Sequence, residues 1–375
     1  MIDLSIAPGR FIQEKGLIFK IGDFLREYGK RPLFLADRTV ASIIEDKIKK
    51  SLKKVGLPFK LTFFGGECCQ EEIEKVTDTI KTEKIDIMIG CGGGKAIDTA
   101  KAAAYYTKVP FVSVPTSAAT CAAWSSICPT YSREGRYLGT KEFKKSPTLV
   151  LVDSKIIAEA PSRLLSAGMA DSLAKWYEGR TSSQKFKEDF HVALALNLSD
   201  HLRRIIEKNG PDAKVHVDRK FCSPQVEKII EANILLAGLI GEIGGKNFRS
   251  TAAHAFNYAL SGIPKFAHTL HGERVGIGLL IQLILEKKRD EFINLVQFYR
   301  KIGFPCSLEE LGVQINLKEL DQICARVCSD PRINNLPFYV DKNIFQDAFL
   351  KVNTLIETFS KRRAINDTVS TSQKR

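Results

Sequence analysis

Three groups of residues in this chain have types and spacing suited to chemistry. The first is Gly90-Cys91-Gly92-Gly93-Gly94-Lys95, set between an apolar run and an alanine-rich helical pattern. A strand entering such a turn exposes backbone N–H groups beside a helix N-terminus, a setting that favours a phosphate or pyrophosphate, and Lys95 can add a point charge. The triphosphatase loop GxxxxGK[ST] is excluded by Ala96, and GxGxxG fails at Lys95. A tight turn that lets helix and sheet pack closely is the bland alternative. The second group is the loop 114–127, crowded with small hydroxyl residues including Thr116, Ser117 and Ser125. It suits contact with a flat polar ligand, although Ser/Thr turns are common without one. The third is a set of histidines: His254, His268 and His271 stand in otherwise apolar segments, whereas His191, His201 and His216 stand in polar ones.

Taken singly, each of these histidines reads first as a satisfied core residue and only second as a ligand, and Asp171 reads as a carboxylate near a helix N-terminus. Two imidazoles and a carboxylate together would leave an open coordination position on Zn²⁺ or Fe²⁺. Asp37 ends the apolar run 32–37, where a carboxylate can accept hydrogen bonds from a ribose and repel a 2′-phosphate, or simply cap the next helix. Both roles stay open.

Periodicity supplies the elements that must position these groups. Apolar runs at 32–36, 59–64, 85–90, 111–115 and 149–152 alternate with amphipathic helical patterns at 41–55, 71–82 and 96–106. Such alternation predicts a parallel sheet covered on both faces, with ligands outside the carboxyl ends of its strands. Beyond residue 161 the pattern turns helical: 172–181, 189–207, 224–243, 251–260, 275–286, 290–302 and 342–358. Breaks are predicted at Asn209-Gly210-Pro211, Gly244-Gly245 and Phe304-Pro305. The expected division is an α/β domain over 1–160, an all-α domain over 161–363, and a disordered polar tail over 364–375.

Composition narrows the function classes. With 44% hydrophobic and 26% charged residues the 375-residue chain is globular and long enough for two cores. No apolar run is long enough to span a bilayer, and residues 1–20 lack the pattern of a signal peptide. Nine cysteines in that context, without paired CxxC spacing, point to reduced thiols in a cytoplasmic protein and away from a structural zinc site. The net charge of +13 reads as a solvated basic face, part of it in the tail. No nucleic-acid-binding motif accompanies it, so neither nucleic acid nor membrane is expected as a partner.

Combined, the motifs Gly92-Gly-Gly-Lys-Ala-Ile-Asp98-Thr-Ala-Lys101, Val114-Pro-Thr-Ser, Leu149-Val-Leu-Val-Asp153, the Gly-x-x-Asp171 segment, Ala253-His254 and Leu270-His271-Gly272-Glu273 resemble the iron-containing (group III) alcohol dehydrogenase superfamily, closest to its glycerol dehydrogenase branch. The resemblance spans nearly the whole chain. It implies a Rossmann-like nucleotide domain and a helical domain in a dehydroquinate synthase-like fold, with the active site in the cleft between them. It further implies a small-molecule substrate, NAD, one divalent metal (Zn²⁺ ahead of Fe²⁺) and a homo-oligomer.

Residue by residue, the resemblance implies that Asp171, His254 and His271 are metal ligands. Asp37, Gly92, Gly93, Gly94, Lys95, Asp98, Thr116, Ser117, Ser125 and Tyr131 fall in its NAD-binding segments, and Ile127 stands where leucine is usual. His268 is a candidate proton relay, and Cys121 and Trp124 are candidate substrate contacts. One departure stands out. Glycerol dehydrogenases carry an aspartate in a Ser-Thr-Asp run, and the matching run here is Ala119-Thr120-Cys121. A thiol cannot accept charge-assisted hydrogen bonds from a polyol, and its neutrality eases the approach of an anion. The runs 120–124 and 173–178 resemble the sister hydroxycarboxylate dehydrogenases, so the expected reaction interconverts a 2-hydroxy acid and its 2-oxo acid, with glycerol as the alternative and, from another class, a non-catalytic nucleotide- or nucleic-acid-binding module.

Overall fold

The computed structural model describes residues 5–248 and 250–372. In chain order come β1 (Phe11–Glu14), α1 (Ile21–Leu25), β2 (Pro32–Ala36), α2 (Arg38–Lys54), β3 (Lys60–Phe63), α3 (Gln70–Thr82), β4 (Ile87–Gly92), α4 (Gly94–Thr107) and β5 (Phe111–Pro115). A hairpin of β6 (Ile127–Tyr131) and β7 (Tyr137–Glu142) follows, then β8 (Leu149–Asp153). Six strands form one all-parallel sheet in the order β1-β8-β5-β4-β2-β3. The four inner strands are buried at every residue, as an apolar run between helical layers requires. All five predicted runs coincide with strands. The edge strand β1 and the antiparallel hairpin are additional.

The pleat divides the sheet's side chains between two cores. Leu33, Leu35, Met88, Val150 and Val152 face a cluster that continues into the helical half of the chain. Phe34, Ile87, Ile89, Val112 and Leu151 face Ile44, Ile48 and Leu52 of α2. From β2 the chain proceeds to β3 on one side, whereas from β4 it proceeds to β5 on the other. The neighbouring strands β2 and β4, paired Leu35 to Gly90, therefore bound a topological switch point. Asp37 and the glycine turn sit at the carboxyl ends of those two strands.

The remainder is helical: α5 (Ser154–Glu159), α6 (Ser162–Ser182), α7 (Phe190–Asp218), α8 (Pro224–Glu231), α9 (Ala237–Gly244), α10 (Ala252–Leu260), α11 (His271–Leu285), α12 (Arg289–Lys301), α13 (Leu317–Ser329) and α14 (Lys342–Ser372). The break expected at 209–211 does not occur, and α7 runs through Pro211. Gly210 is buried there, and a Cβ on it would lie 2.8 Å from Met169 Sδ, so close packing of α7 outweighs the roughly 3 kcal/mol cost of an interior proline. The helix predicted over 224–243 contains a π turn at Ala232–Leu236. Helix α13 lies outside the predicted set. Helix α14 extends into 364–372, which was expected to be a disordered tail, and residues 373–375 lie outside the described residues. No helix among the described residues is long and apolar enough to cross a membrane.

Candidate metal and cofactor site

Asp171 lies in the middle of α6, buried, on the face it shares with Lys175 and Glu178 one and two turns on. His254 sits in the first turn of α10, and His271 opens α11. The backbones are held close by small residues. A Cβ on Gly272 would lie 2.0 Å from the Ala167 carbonyl oxygen, so only glycine lets α11 cross α6 at this point. His271 Nε2 stands 3.2 Å and His254 Nε2 3.8 Å from Asp171 Oδ1. One donor atom from each of the three residues falls within 4.8 Å of the others, close enough to share a single ion.

Their charges are coupled. Burial pushes the Asp171 carboxyl up, but the adjacent His271 and His254 pull harder and hold it below its ordinary value. Burial lowers the affinity of His271 for a proton, against the opposing pull of Asp171. A lowered imidazole beside an ionised carboxylate is a donor set ready for a cation, because both ligands are already in their metal-binding protonation states.

Glu178 belongs to the same site, and the sequence reading missed it. Its Oε1 accepts from the backbone N–H groups of Thr251 (2.7 Å) and His254 (3.1 Å), which closes the N-terminus of α10. Its Oε2 takes a short hydrogen bond from His254 Nδ1. Burial raises the Glu178 carboxyl, and His254 with these amides more than reverses the effect. The sequence held two signals, its position seven residues after Asp171, which puts both on one helical face, and its place at the end of the run 173–178.

At the switch point, Gly92 has φ +141°, in the region that favours glycine, and Gly93 caps α4. A Cβ on Gly93 would meet nothing within 4 Å, so the turn has open space beside its amides. Lys95 Nζ is held by Glu67 at 2.5 Å and lies 5.3 Å from the centre of the Tyr131 ring. Asp37 caps α2 by accepting from Val40 N at 2.8 Å through Oδ1. The Thr116 amide donates to the Gly92 carbonyl at 3.1 Å, and a Cβ on Gly94 would lie 3.2 Å from Thr120 Oγ1. Gly92, Gly93, Gly94, Lys95, Thr116 and Tyr131 thus surround one turn, with Ser117 next in the loop.

The other candidates are engaged elsewhere. Asp98 is buried against Lys101 at 2.7 Å, and Lys101 also donates to the carbonyls of Ala122 and Ile127, so this pair fastens α4 to the hydroxyl loop. Burial pushes the Asp98 carboxyl up to about 6 against the pull of Lys101. Ser125 Oγ donates to Glu242 at 3.1 Å, and the Ser126 amide to the same oxygen at 2.6 Å, with Ile127 bonded back to Ser125 Oγ. Trp124 is core, 5% exposed, with its ring where a Cβ on Gly238 would have to go. His268 is exposed, and its Nε2 pairs with the Leu311 carbonyl at 3.0 Å, away from the three-residue cluster.

The two groups of residues meet through the hydroxyl loop. The Ala118 carbonyl touches α6 at Gly168, where a Cβ would lie 1.9 Å away, one turn before Asp171. Asn233, in the π turn, donates to that carbonyl at 3.0 Å and accepts from Ser172 Oγ at 3.0 Å. Cys121, three residues on, lies within the fields of Lys175 and Asp171. The glycine turn, the loop and the acid–imidazole cluster are therefore one contiguous site.

Comparison with known proteins identifies the class first. The model of the iron-containing alcohol dehydrogenase family matches residues 8–154. A glycerol dehydrogenase of Thermotoga maritima is 36% identical over 354 residues, covering 92% of this chain and 95% of the relative. Hydroxycarboxylate dehydrogenase A of Escherichia coli is 30% identical, over 94% and 98%. A crystal structure of a probable glycerol dehydrogenase from Sinorhizobium meliloti superposes with a TM-score of 0.84 at 32% identity, over 94% and 98%. The protein is an oxidoreductase of alcohol dehydrogenase type. More particularly, it belongs to the iron-containing alcohol dehydrogenase family, among its glycerol dehydrogenase-like members.

Proposed function

We propose that this chain is a metal-dependent, NAD(H)-linked oxidoreductase that interconverts a small hydroxy compound and its carbonyl. The observation that carries the reading is the convergence of Asp171, His254 and His271 on one point beneath the loop that adjoins the glycine turn. One carboxylate and two imidazoles suit Zn²⁺, with Fe²⁺ the other candidate, and leave a position for substrate. The open space at Gly93, the cation of Lys95 and the helix N-terminus fit the pyrophosphate of a dinucleotide. Asp37 retains a carboxylate oxygen beyond its cap bond, which suits a ribose and disfavours NADP. When bound, the cation supplies a Lewis acid for the alcohol or carbonyl oxygen, and NAD supplies hydride exchange.

The protein's own contribution is positional. Glu178 fixes the His254 ring with Nδ1 protonated and Nε2 free. Asn233 and the Asp98–Lys101 pair hold the hydroxyl loop over α6. Cytoplasmic location and assembly into a homo-oligomer belong to the same reading.

Cys121 supports a 2-hydroxy acid/2-oxo acid pair as substrates, because the thiol removes a negative charge from the substrate side of the site. The names of similar proteins weigh more heavily toward glycerol, which several of them carry, than toward hydroxycarboxylates. Initial rates of the zinc-loaded enzyme with 2-oxobutyrate and NADH, against glycerol and NAD⁺, separate the two. A higher kcat/KM for 2-oxobutyrate is expected, and a clear preference for glycerol removes the acid reading.

A further inference from the structure

Lys175 is the one group on the Asp171 face of α6 that the proposed chemistry leaves unused. It stands one turn after Asp171 and one turn before Glu178, partly buried, with Nζ 3.4 Å from where a Cβ on Gly241 would sit. Among the described residues its ammonium has neither a hydrogen bond nor an ion pair. The carboxylates whose fields reach it are all committed. Glu242 is taken by Ser125 and by the amide and hydroxyl of Ser126. Glu178 is taken by Thr251 and His254, and Asp171 is turned toward the two imidazoles. The fourth neighbour, Cys121, has its thiol pushed up by burial and so remains neutral. Its three N–H donors are therefore without a hydrogen-bonded acceptor, although the fields of these carboxylates keep the ammonium charged.

We infer that Lys175 is the specificity residue that receives the carboxylate of a 2-oxo or 2-hydroxy acid. The inference rests on the acid reading of the substrate given above. Residues one helical turn apart have Cβ atoms about 5–6 Å from each other. A carbonyl directed to the Asp171–His254–His271 cluster therefore leaves the adjoining carboxylate within reach of the next side chain on the same face. The charge balance agrees: the aspartate of the polyol enzymes is replaced by Cys121, and the nearest uncommitted charge is positive. A neutral polyol would leave that ammonium unpaired.

The test uses the full-length, zinc-loaded enzyme and two substrates of equal size, 2-oxobutyrate and the neutral 1-hydroxy-2-butanone. Lys175→Met is expected to lower the ratio of kcat/KM for the acid to that for the ketone by about 10–100-fold, mostly through KM, as the loss of a hydrogen bond to a charged group implies. Lys175→Arg should restore most of that ratio by restoring the charge. Calorimetric titration of oxamate onto the enzyme–NADH complex should show the same loss and rescue without turnover. A wild-type enzyme that reduces 2-oxobutyrate while Lys175→Met leaves both the ratio and oxamate binding unchanged overturns the role of Lys175 and spares the acid reading. A wild-type enzyme that oxidises glycerol and ignores 2-oxobutyrate overturns the acid reading itself.

Discussion

His254 Nδ1 donates to Glu178 Oε2, and this single bond turns Nε2 of the same ring toward Asp171. The carboxylate also closes the N-terminus of α10, so ring orientation and helix position are set by one side chain. Outer-shell carboxylates of this type typically affect metal affinity by about 10–100-fold. Glu178→Gln is expected to weaken Zn²⁺ binding by that order, read by competition with a chromophoric chelator. An affinity equal to that of the wild type would mean that the helix cap is the residue's whole task.

The ligand set makes a sharper prediction. His254→Ala or His271→Ala should abolish turnover while NADH binding, followed by fluorescence, largely survives. The glycine turn lies on β4 and α4, whereas the two imidazoles lie on α10 and α11. Exhaustive chelation of the wild type should reproduce the loss, and added Zn²⁺ or Fe²⁺ should restore activity. An enzyme that stays active after chelation does not depend on this cluster.

What the sequence disclosed follows from where the physical signal lies. The inner strands of the sheet were legible because burial on both faces demands continuous apolar runs, whereas β1, with Gln13 and Glu14 at a sheet edge, carries no such demand. Helix α13 did have signals, the reciprocal capping box of Asn316 and Glu319 and an amphipathic face of Leu320, Ile323, Cys324 and Val327 at i, i+3, i+4 and i+7, so it was legible and the sequence reading missed it. His254 and His271 stood out by their apolar surroundings, but their union with Asp171 as one ligand set came only through family resemblance, because the convergence depends on close crossings such as that at Gly272, which no local pattern encodes. Trp124 illustrates the reverse: a large aromatic beside a candidate loop suggests ligand contact, and only the position of Gly238 on another element reveals it as core.

The two roles of Asp37 can be separated by one substitution. Asp37→Ser keeps a side-chain oxygen able to cap α2, so the melting temperature should hardly change, whereas Asp37→Ala should cost about 1 kcal/mol. Both remove the carboxylate, and both should raise the kcat/KM ratio of NADP to NAD by roughly tenfold, an energy in the range of a charge-assisted hydrogen bond. An unchanged coenzyme preference would leave Asp37 with the cap alone.

Stability of the metal-free protein should depend on pH through His271. Burial lowers its folded-state pKa below the ordinary 6.5, only partly offset by Asp171, so the folded ring stays neutral where the unfolded ring takes up a proton. The stabilising contribution is therefore fully present above pH 6.5 and is lost as pH falls from 6.5 through the lowered folded-state value. Asp171 and Glu178, also lowered, act in the same direction at more acid pH, below their ordinary values of 3.8 and 4.5. Thermal melts of the chelated enzyme should show a fall in melting temperature between pH 7.5 and 5.5, before the carboxylates titrate. His271→Asn, which cannot take up the proton, should flatten that interval and leave the Glu178 part of the acid limb below pH 4.5. A variant as pH-sensitive as the wild type between 7.5 and 5.5 would place the responsible group elsewhere.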